Sequence, residues 1–237
     1  MTFESYASSS AGNLYSITDG KSTVLIECGL PKKKLLKAID FNLLKINACL
    51  LSHSHGDHAK SAQELVSDGV RVYMSEGTAN ELKIDSAPLV AHLEQFSIGT
   101  FDIIPFDTFH DAKEPLGFLV KSKVDGDIFV FATDTVNLRY KFPGINILAI
   151  EANYDKSILA RSEKLPEKVR HRIENAHMEI DTLCEYLKTL DLSTCREIYL
   201  LHLSNAMSNE WQFKKRVEQI VPPHTRVTVC QKETRGR

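Results

Sequence analysis

Leu50-Leu51-Ser52-His53-Ser54-His55-Gly56-Asp57-His58 sets three histidines and an aspartate within six residues. The segment directly follows an apolar run over 47–51 that reads as a buried strand. Imidazole and carboxylate together suit divalent ions such as zinc, manganese or iron. The spacing lets His53 and His55 serve one ion and Asp57 and His58 a second, with Gly56 allowing the loop to turn sharply between the two sets. The alternative, a solvated polar loop, would require four such donors to gather beside an apolar strand by chance.

Working outward, the other candidate ligands also stand at strand ends. His110 follows a strand expected over 101–106. Asp134, in Phe131-Ala132-Thr133-Asp134-Thr135, follows one over 127–131, and His202 closes one over 197–203. Layered α/β folds collect functional groups at such ends, so one rim can gather every ligand. The rest of the chain reads as strands over 13–18 and 22–27 around an Asp19-Gly20 turn and a lysine-rich helix opened by Pro31. Strands over 117–124 and 127–131 are joined by Asp125-Gly126 and followed by one over 145–151. The last third alternates: a helix over 179–190 with Ile180, Leu183, Cys184 and Leu187 on one face, the strand ending at His202, a helix over 209–220 and a strand over 226–230. Two sheets between helical layers are expected. With no internal repeat and no linker, residues 1–237 are expected to form a single domain.

Composition narrows the functions. Among 237 residues, 29 lysines and arginines against 31 acidic residues give a net charge of −2, which excludes binding of polyanions by bulk charge and leaves only local basic patches. No stretch approaches the ~18 apolar residues of a membrane span. The start, Met1-Thr2-Phe3-Glu4-Ser5, lacks the basic and apolar regions of a signal peptide, so a cytoplasmic protein without membrane contact is expected. Five cysteines, an odd count without a Cys-x-x-Cys pair, argue against a disulfide framework or a thiolate zinc ribbon.

The His-x-His-x-Asp-His motif with its later His, Asp and His resembles the metallo-β-lactamase fold family. The resemblance implies a four-layer αββα sandwich with a dinuclear site at the sheet edges. It also implies that His53, His55 and His110 hold the first ion, that Asp57, His58 and His202 hold the second, and that Asp134 bridges them. Within that family the chain is similar to the WalJ/YycJ-like branch, regarded as nucleases acting on DNA. The similarity rests on Ala7-Ser8-Ser9-Ser10-Ala11-Gly12-Asn13, on Ile150-Glu151-Ala152-Asn153-Tyr154-Asp155 and on Leu201-His202-Leu203-Ser204-Asn205. On this basis Ser9, Asn13 and Asn153 are expected to touch substrate. One departure stands out: where the branch carries Gly-His-Leu-Ser-Asn, this chain has Ala176-His177-Met178-Glu179-Ile180. By analogy His177 touches a substrate phosphate or the leaving group; a helix-capping role is the alternative.

Two ions about 3.5–4 Å apart share a water and clamp the attacking and departing oxygens of an in-line displacement. The expectation is therefore a phosphodiester hydrolase, an exonuclease on DNA single strands or ends. In it a hydroxide bridging the ions attacks phosphorus, Asp57 orients it and His177 or a water assists the leaving oxygen. Zinc suits the donors best, with manganese or iron accepted. From 156 to 172 six cations (Lys156, Arg161, Lys164, Lys168, Arg170, Arg172) oppose Glu163 and Glu167. They read either as a phosphate-binding lid, with Arg161, Arg170 and Arg172 on the substrate, or as a solvated face. Lys32, Lys33, Lys34 and Lys37 pose the same choice. The competing functions are a small-molecule phosphodiesterase, such as a cyclic-nucleotide hydrolase, and a non-catalytic binding protein on the same scaffold. A homodimer is implied by the family alone. Trp211, with Phe213 and Val217, reads as helix packing.

Overall fold

Strand β1 (Thr2–Ser9), which its serine-rich end disguises as a loop, pairs antiparallel with β2 (Gly12–Thr18), from Thr2 opposite Thr18 to Ser9 opposite Gly12. The serines belong to a strand because their hydroxyls find partners inside the fold: Ser8 Oγ and Tyr15 Oη lie 2.7 Å apart, both buried. The computed structural model describes residues 1–162 and 165–230. These fall into two compact units, Met1–Asp107 with Ala112–Asp127, and Thr108–Asp111 with Ile128–Cys230.

In the first unit, β3 (Thr23–Ile26) continues the sheet antiparallel to β2, and β4 (Ala48–Leu50) and β5 (Val72–Tyr73) add to it in parallel, in the order β1-β2-β3-β4-β5. Four short helices accompany these strands: α1 (Lys32–Ala38), α2 (Gly56–Ala59), α3 (Ala62–Ser67) and α4 (Glu76–Leu82). Their apolar sides meet the sheet in a core that includes Leu14, Leu25, Leu35, Cys49, Leu65 and Met74. Strands β6 (Phe96–Ile98), β7 (Phe101–Asp107) and β8 (Leu116–Ser122) form an antiparallel meander. It is tied to the N-terminal strands by Thr100 N donating to Ser22 Oγ at 2.9 Å and by the Met1 ammonium, 2.6 Å from Asp127. The Asp125-Gly126 turn is present, with Gly126 at φ +78° donating to Ser122 O.

The second unit is built on β9 (Ile128–Ala132), β10 (Ile147–Glu151), β11 (Glu197–Leu201) and β12 (Arg226–Val229), all parallel, in the order β12-β11-β10-β9. Every residue of β10 is buried, and Ile147 to Ile150 form the continuous apolar run expected of an inner parallel strand. The helices are α5 (Lys156–Arg161), α6 (Glu167–Ala176), α7 (Ile180–Lys188) and α8 (Glu210–Glu218). Helix α7 buries Ile180, Leu183, Cys184 and Leu187, the face its spacing predicts, and α8 buries Phe213 and Val217. Trp211 departs from expectation. It is 66% exposed, with Lys215 Nζ 4.9 Å from its ring, because the helical spacing that buries Phe213 and Val217 turns position 211 outward.

Asp155 shows how the acidic end of the Glu151–Asp155 stretch shapes this unit. Its Oδ1 accepts from Ser157 N at 2.7 Å and Ile158 N at 3.4 Å, capping α5, and its Oδ2 meets Arg216 at 3.1 Å. Burial alone would raise its pKa, but these donors hold the carboxyl below its ordinary value of 3.8. A depressed folded pKa means that the contribution is whole above the ordinary carboxylate value and is lost as pH falls through the lower folded one. Asp155→Ala is expected to cost about 1–2 kcal/mol at pH 7, and the gap from wild type in urea denaturation is expected to shrink progressively below pH 4.

Candidate metal centre

The first unit supplies the histidine loop that follows β4. His55 caps α2, with His58 N and Ala59 N both donating to its carbonyl at 2.9 Å. The rings crowd together, the His53 centroid lying 4.7 Å from that of His55 and 4.2 Å from that of His58. Asp57 Oδ2 is 3.4 Å from His58 Nε2. The loop is anchored from behind by the segment after β3: Cys28 N donates to His58 O at 2.8 Å, and Ser61 N donates to Cys28 O at 3.0 Å. Gly29 lies so close to the loop that a Cβ there would sit 1.7 Å from Asp57 O. Glu27, fully buried at the end of β3, accepts from Ser52 N at 3.4 Å and places Oε1 3.5 Å from His58 Nδ1.

The second unit supplies a denser cluster. One ligand atom from each of Asp134, Glu151, His177 and His202 lies within 4.8 Å of the others. Asp134 follows β9 and His202 follows β11. His202 Nδ1 is 2.9 Å from Asp134 Oδ1 and 3.2 Å from Glu151 Oε1. Glu151, the last residue of β10, takes four donors: Thr135 N at 2.9 Å and Met178 N at 3.1 Å on Oε2, His177 Nδ1 at 2.7 Å and His202 Nδ1 at 3.2 Å on Oε1. Burial would push this carboxyl up; the His177 charge and the two ring N–H groups hold it below its ordinary value. His177 moves the other way. Burial would lower its pKa, but Glu151 outweighs that and raises it, so the ring keeps its proton more readily than a free imidazole.

His110 tests whether the donors fit a cation. Its Nδ1 is 2.8 Å from Ala176 O, and a carbonyl only accepts, so Nδ1 carries the hydrogen. Burial, partly offset by Asp134, lowers the ring's pKa and favours its neutral form. Nε2 then presents a lone pair, and it faces Asp111 Oδ1 at 3.2 Å and Asp134 Oδ2 at 3.4 Å. A lone pair set against carboxylate oxygens is stabilised by a cation among them, and imidazole with carboxylate is the donor set of zinc and its neighbours. The His58–Glu27 and His202–Glu151 contacts match the outer carboxylates that fix ring tautomers in metal sites.

The other expected site residues have these positions. Asn13 is fully buried, its Nδ2 within 3.1 Å of Ser9 O, Asp57 O and His58 Nε2 and its Oδ1 accepting from Ser9 N and Tyr15 Oη, so it braces the histidine loop. Ser9 is buried in the same turn, its Oγ accepting from Ala11 N. Asn153, expected on substrate, donates its Nδ2 to His202 O at 2.8 Å. Arg170 spends its guanidinium on Leu159 O and Ser162 O at the end of α5. Arg172 is 60% exposed and donates to Asp111 at 3.1 Å, and Arg161 is exposed. Glu163 and Lys164 lie outside the described residues. Lys32 pairs with Asp68 at 2.7 Å. His177 closes α6 with its backbone, the capping position considered for it, while its ring is bonded to Glu151.

Sequence reasoning missed Glu27, Glu151 and Gly29. The first two had a readable signal, an acidic residue ending an apolar run (Val24-Leu25-Ile26-Glu27 and Ile147-Leu148-Ala149-Ile150-Glu151), where a charge must meet partners.

Comparison with known proteins shows the family. The sequence pattern of the metallo-beta-lactamase superfamily matches residues 9–91. The chain is 31% identical over 220 residues to exodeoxyribonuclease WalJ of Streptococcus pneumoniae serotype 2 (84% of this chain, 80% of that protein). It is 28% identical over 218 residues to exodeoxyribonuclease YycJ of Bacillus anthracis (85% and 82%). Among solved structures, the metallo-beta-lactamase fold protein YhfI of Bacillus subtilis superposes with a TM-score of 0.74 at 15% identity, covering 98% of this chain and 96% of that one.

Two substitutions test the architecture behind the ligands. Glu151→Gln is expected to weaken zinc binding by about 10- to 100-fold, read by competition with a chromophoric chelator, while circular dichroism stays unchanged. Gly29→Ala forces the Asp57 backbone aside and is expected to lower the melting temperature of the metal-free protein as well as its zinc affinity, which calorimetry and the same titration measure.

Proposed function

The chain belongs to the metallo-β-lactamase superfamily, in the group of the WalJ and YycJ exodeoxyribonucleases, and on that premise we propose that it is a metal-dependent phosphodiester hydrolase acting exonucleolytically on DNA. The observation that carries the metal requirement is the placing of the His110 ring, its Nδ1–H given to the Ala176 carbonyl and its other nitrogen facing Asp111 and Asp134. We assign His53, His55 and His110 to one ion, Asp57, His58 and His202 to a second, and Asp134 to both, with zinc or manganese as the metal. Bound divalent ions supply a water of lowered pKa and neutralise charge on the phosphoryl oxygens.

The chain's own residues supply the rest. His177 is assigned as the proton carrier: Glu151 raises its pKa, its side chain is 15% exposed, and its Nδ1 is tied to Glu151, so Nε2 is the atom assigned to protonate the departing oxygen. Asp57 is assigned to aligning the attacking water. Arg161 and Arg172, both exposed, are assigned to strand phosphates. The five cysteines form no disulfide among the described residues, which suits a reducing cytoplasmic compartment.

The test is hydrolysis of 5′-labelled single- and double-stranded DNA with zinc or manganese, with cyclic nucleotides in parallel. Progressive shortening of DNA that a chelator stops is the expected result. His55→Ala and Asp134→Asn are each expected to lower the rate by more than about 100-fold, beyond what loss of an outer partner does, with the fold intact by circular dichroism. Full activity in either variant overturns the assignment, and turnover of a cyclic nucleotide with DNA left whole makes this a small-molecule phosphodiesterase.

A further inference from the structure

Phe109 stands immediately before His110 and is 40% exposed, whereas Phe101, Phe106, Phe118, Phe129 and Phe131 are all buried. A lone exposed aromatic is ordinary; this one is distinguished by how it is held and by what surrounds it. Its backbone is fixed on both sides, with Phe109 N donating to Thr135 Oγ1 at 3.0 Å and Val136 N donating to Phe109 O at 3.1 Å. Thr135 in turn donates its own N–H to Glu151 at 2.9 Å, so the aromatic shares its anchor with the histidine cluster. The Arg139 guanidinium lies 5.4 Å from the Phe109 ring centroid and 5.3 Å from that of Tyr140, and its Nε donates to Tyr140 Oη at 3.1 Å. On the other side of His110, Asp111 receives Arg172 at 3.1 Å. A fixed, exposed ring and two guanidinium groups thus flank a single metal-ligand candidate.

We propose that Phe109 is the stacking platform for the terminal base of a DNA strand, with Arg139 supporting the ring and Arg172 the adjoining phosphate. The proposal rests on the exonuclease reading above and extends it to how a strand end is held. Phe109 and His110 are chain neighbours, their Cα atoms about 3.8 Å apart, and the proposal places the terminal base on the first and its phosphate by the second. Stacking on an aromatic face accepts any base, and it requires a base free of its own duplex neighbours, which a single-stranded end provides. A guanidinium against the same ring adds a cation–π contact and a second planar surface.

The experiment compares wild type, Phe109→Ala and Phe109→Trp on a single-stranded oligonucleotide and on the same strand with an abasic terminal nucleotide. Phe109→Ala is expected to raise KM on the normal strand by about 5- to 150-fold, the range one base stack supplies, with kcat little changed. Phe109→Trp is expected to restore KM. Wild type is expected to lose the same factor on the abasic end, and Phe109→Ala to be indifferent to it. A Phe109→Ala KM within twofold of wild type, or an abasic penalty as large in the variant as in wild type, overturns the stacking role alone. Wild-type protein that leaves every DNA intact overturns the exonuclease reading, and the platform with it.

Discussion

A carboxylate sealed inside protein must be met by donors, and this chain buries two at the ends of core strands, Glu27 after β3 and Glu151 on β10. Desolvating a charge costs several kcal/mol unless it is paired, so the loops beyond each strand have to return and satisfy it. For Glu27 the Ser52 N–H donates to Oε2, and the His58 ring lies 3.5 Å from Oε1. For Glu151 the donors come from the 135 turn, the 177–178 segment and His202, three separate stretches of one unit. The histidines are positioned because they are what the carboxylates require. Their outer nitrogens are left to face the site as a consequence.

Backbone strain falls at the same places. Glu27, Asp134 and His202 have φ of +65°, +45° and +52°, in the left-handed region that residues with side chains seldom enter. Each stands where a parallel strand stops and the chain must turn so that a side chain aims away from the strand axis. Such conformations cost about 1–3 kcal/mol each and persist where the surroundings over-determine them. The bonds just described do this: Asn153 holds the His202 carbonyl, Thr133 Oγ1 donates to Asp134 Oδ1 at 2.9 Å, and Glu27 N donates to Leu50 O at 2.9 Å.

The candidate ligands were legible because metal chemistry restricts residue type and because the histidine motif is contiguous. Long periodic elements were legible too, α7 and α8 to within two residues at either end. What the sequence hid has a physical pattern. Strand β1 was masked because its inward serines satisfy their hydroxyls through tertiary bonds no local rule reveals. The short helices α2 to α5 carry too few turns for periodicity to register, and α6, though longer, buries only Ala176 and so shows no apolar stripe. Asn13, Asn153 and Arg170 look like substrate donors in one dimension, since an amide or guanidinium spent on backbone carbonyls is indistinguishable in sequence from one offered to a phosphate. Glu27 and Glu151 were passed over because an acidic residue ending an apolar run can equally mark the start of a solvated loop.

The altered segment around His177 follows from the same logic. Where the branch it resembles carries Leu-Ser-Asn after the histidine, this chain has Met178, Glu179 and Ile180, so the two polar positions fall on Glu179 and Ile180. The bond that matters to the cluster is the Met178 backbone N–H to Glu151, which any residue but proline can give. Met178 itself is fully buried, so an apolar side chain suits its position. Glu179 caps α7 by accepting from Asp181 N and Thr182 N, the task a serine or asparagine performs at such a position. Ile180 N donates to Tyr154 O at 2.9 Å and ties the start of the helix to the segment after β10. The substitutions therefore change how the helix begins while the Glu151–His177 pair stays as the strand end dictates. Differences in substrate choice between this chain and its relatives are then to be sought in exposed neighbours such as Phe109 and Arg172, where no buried charge constrains the residue.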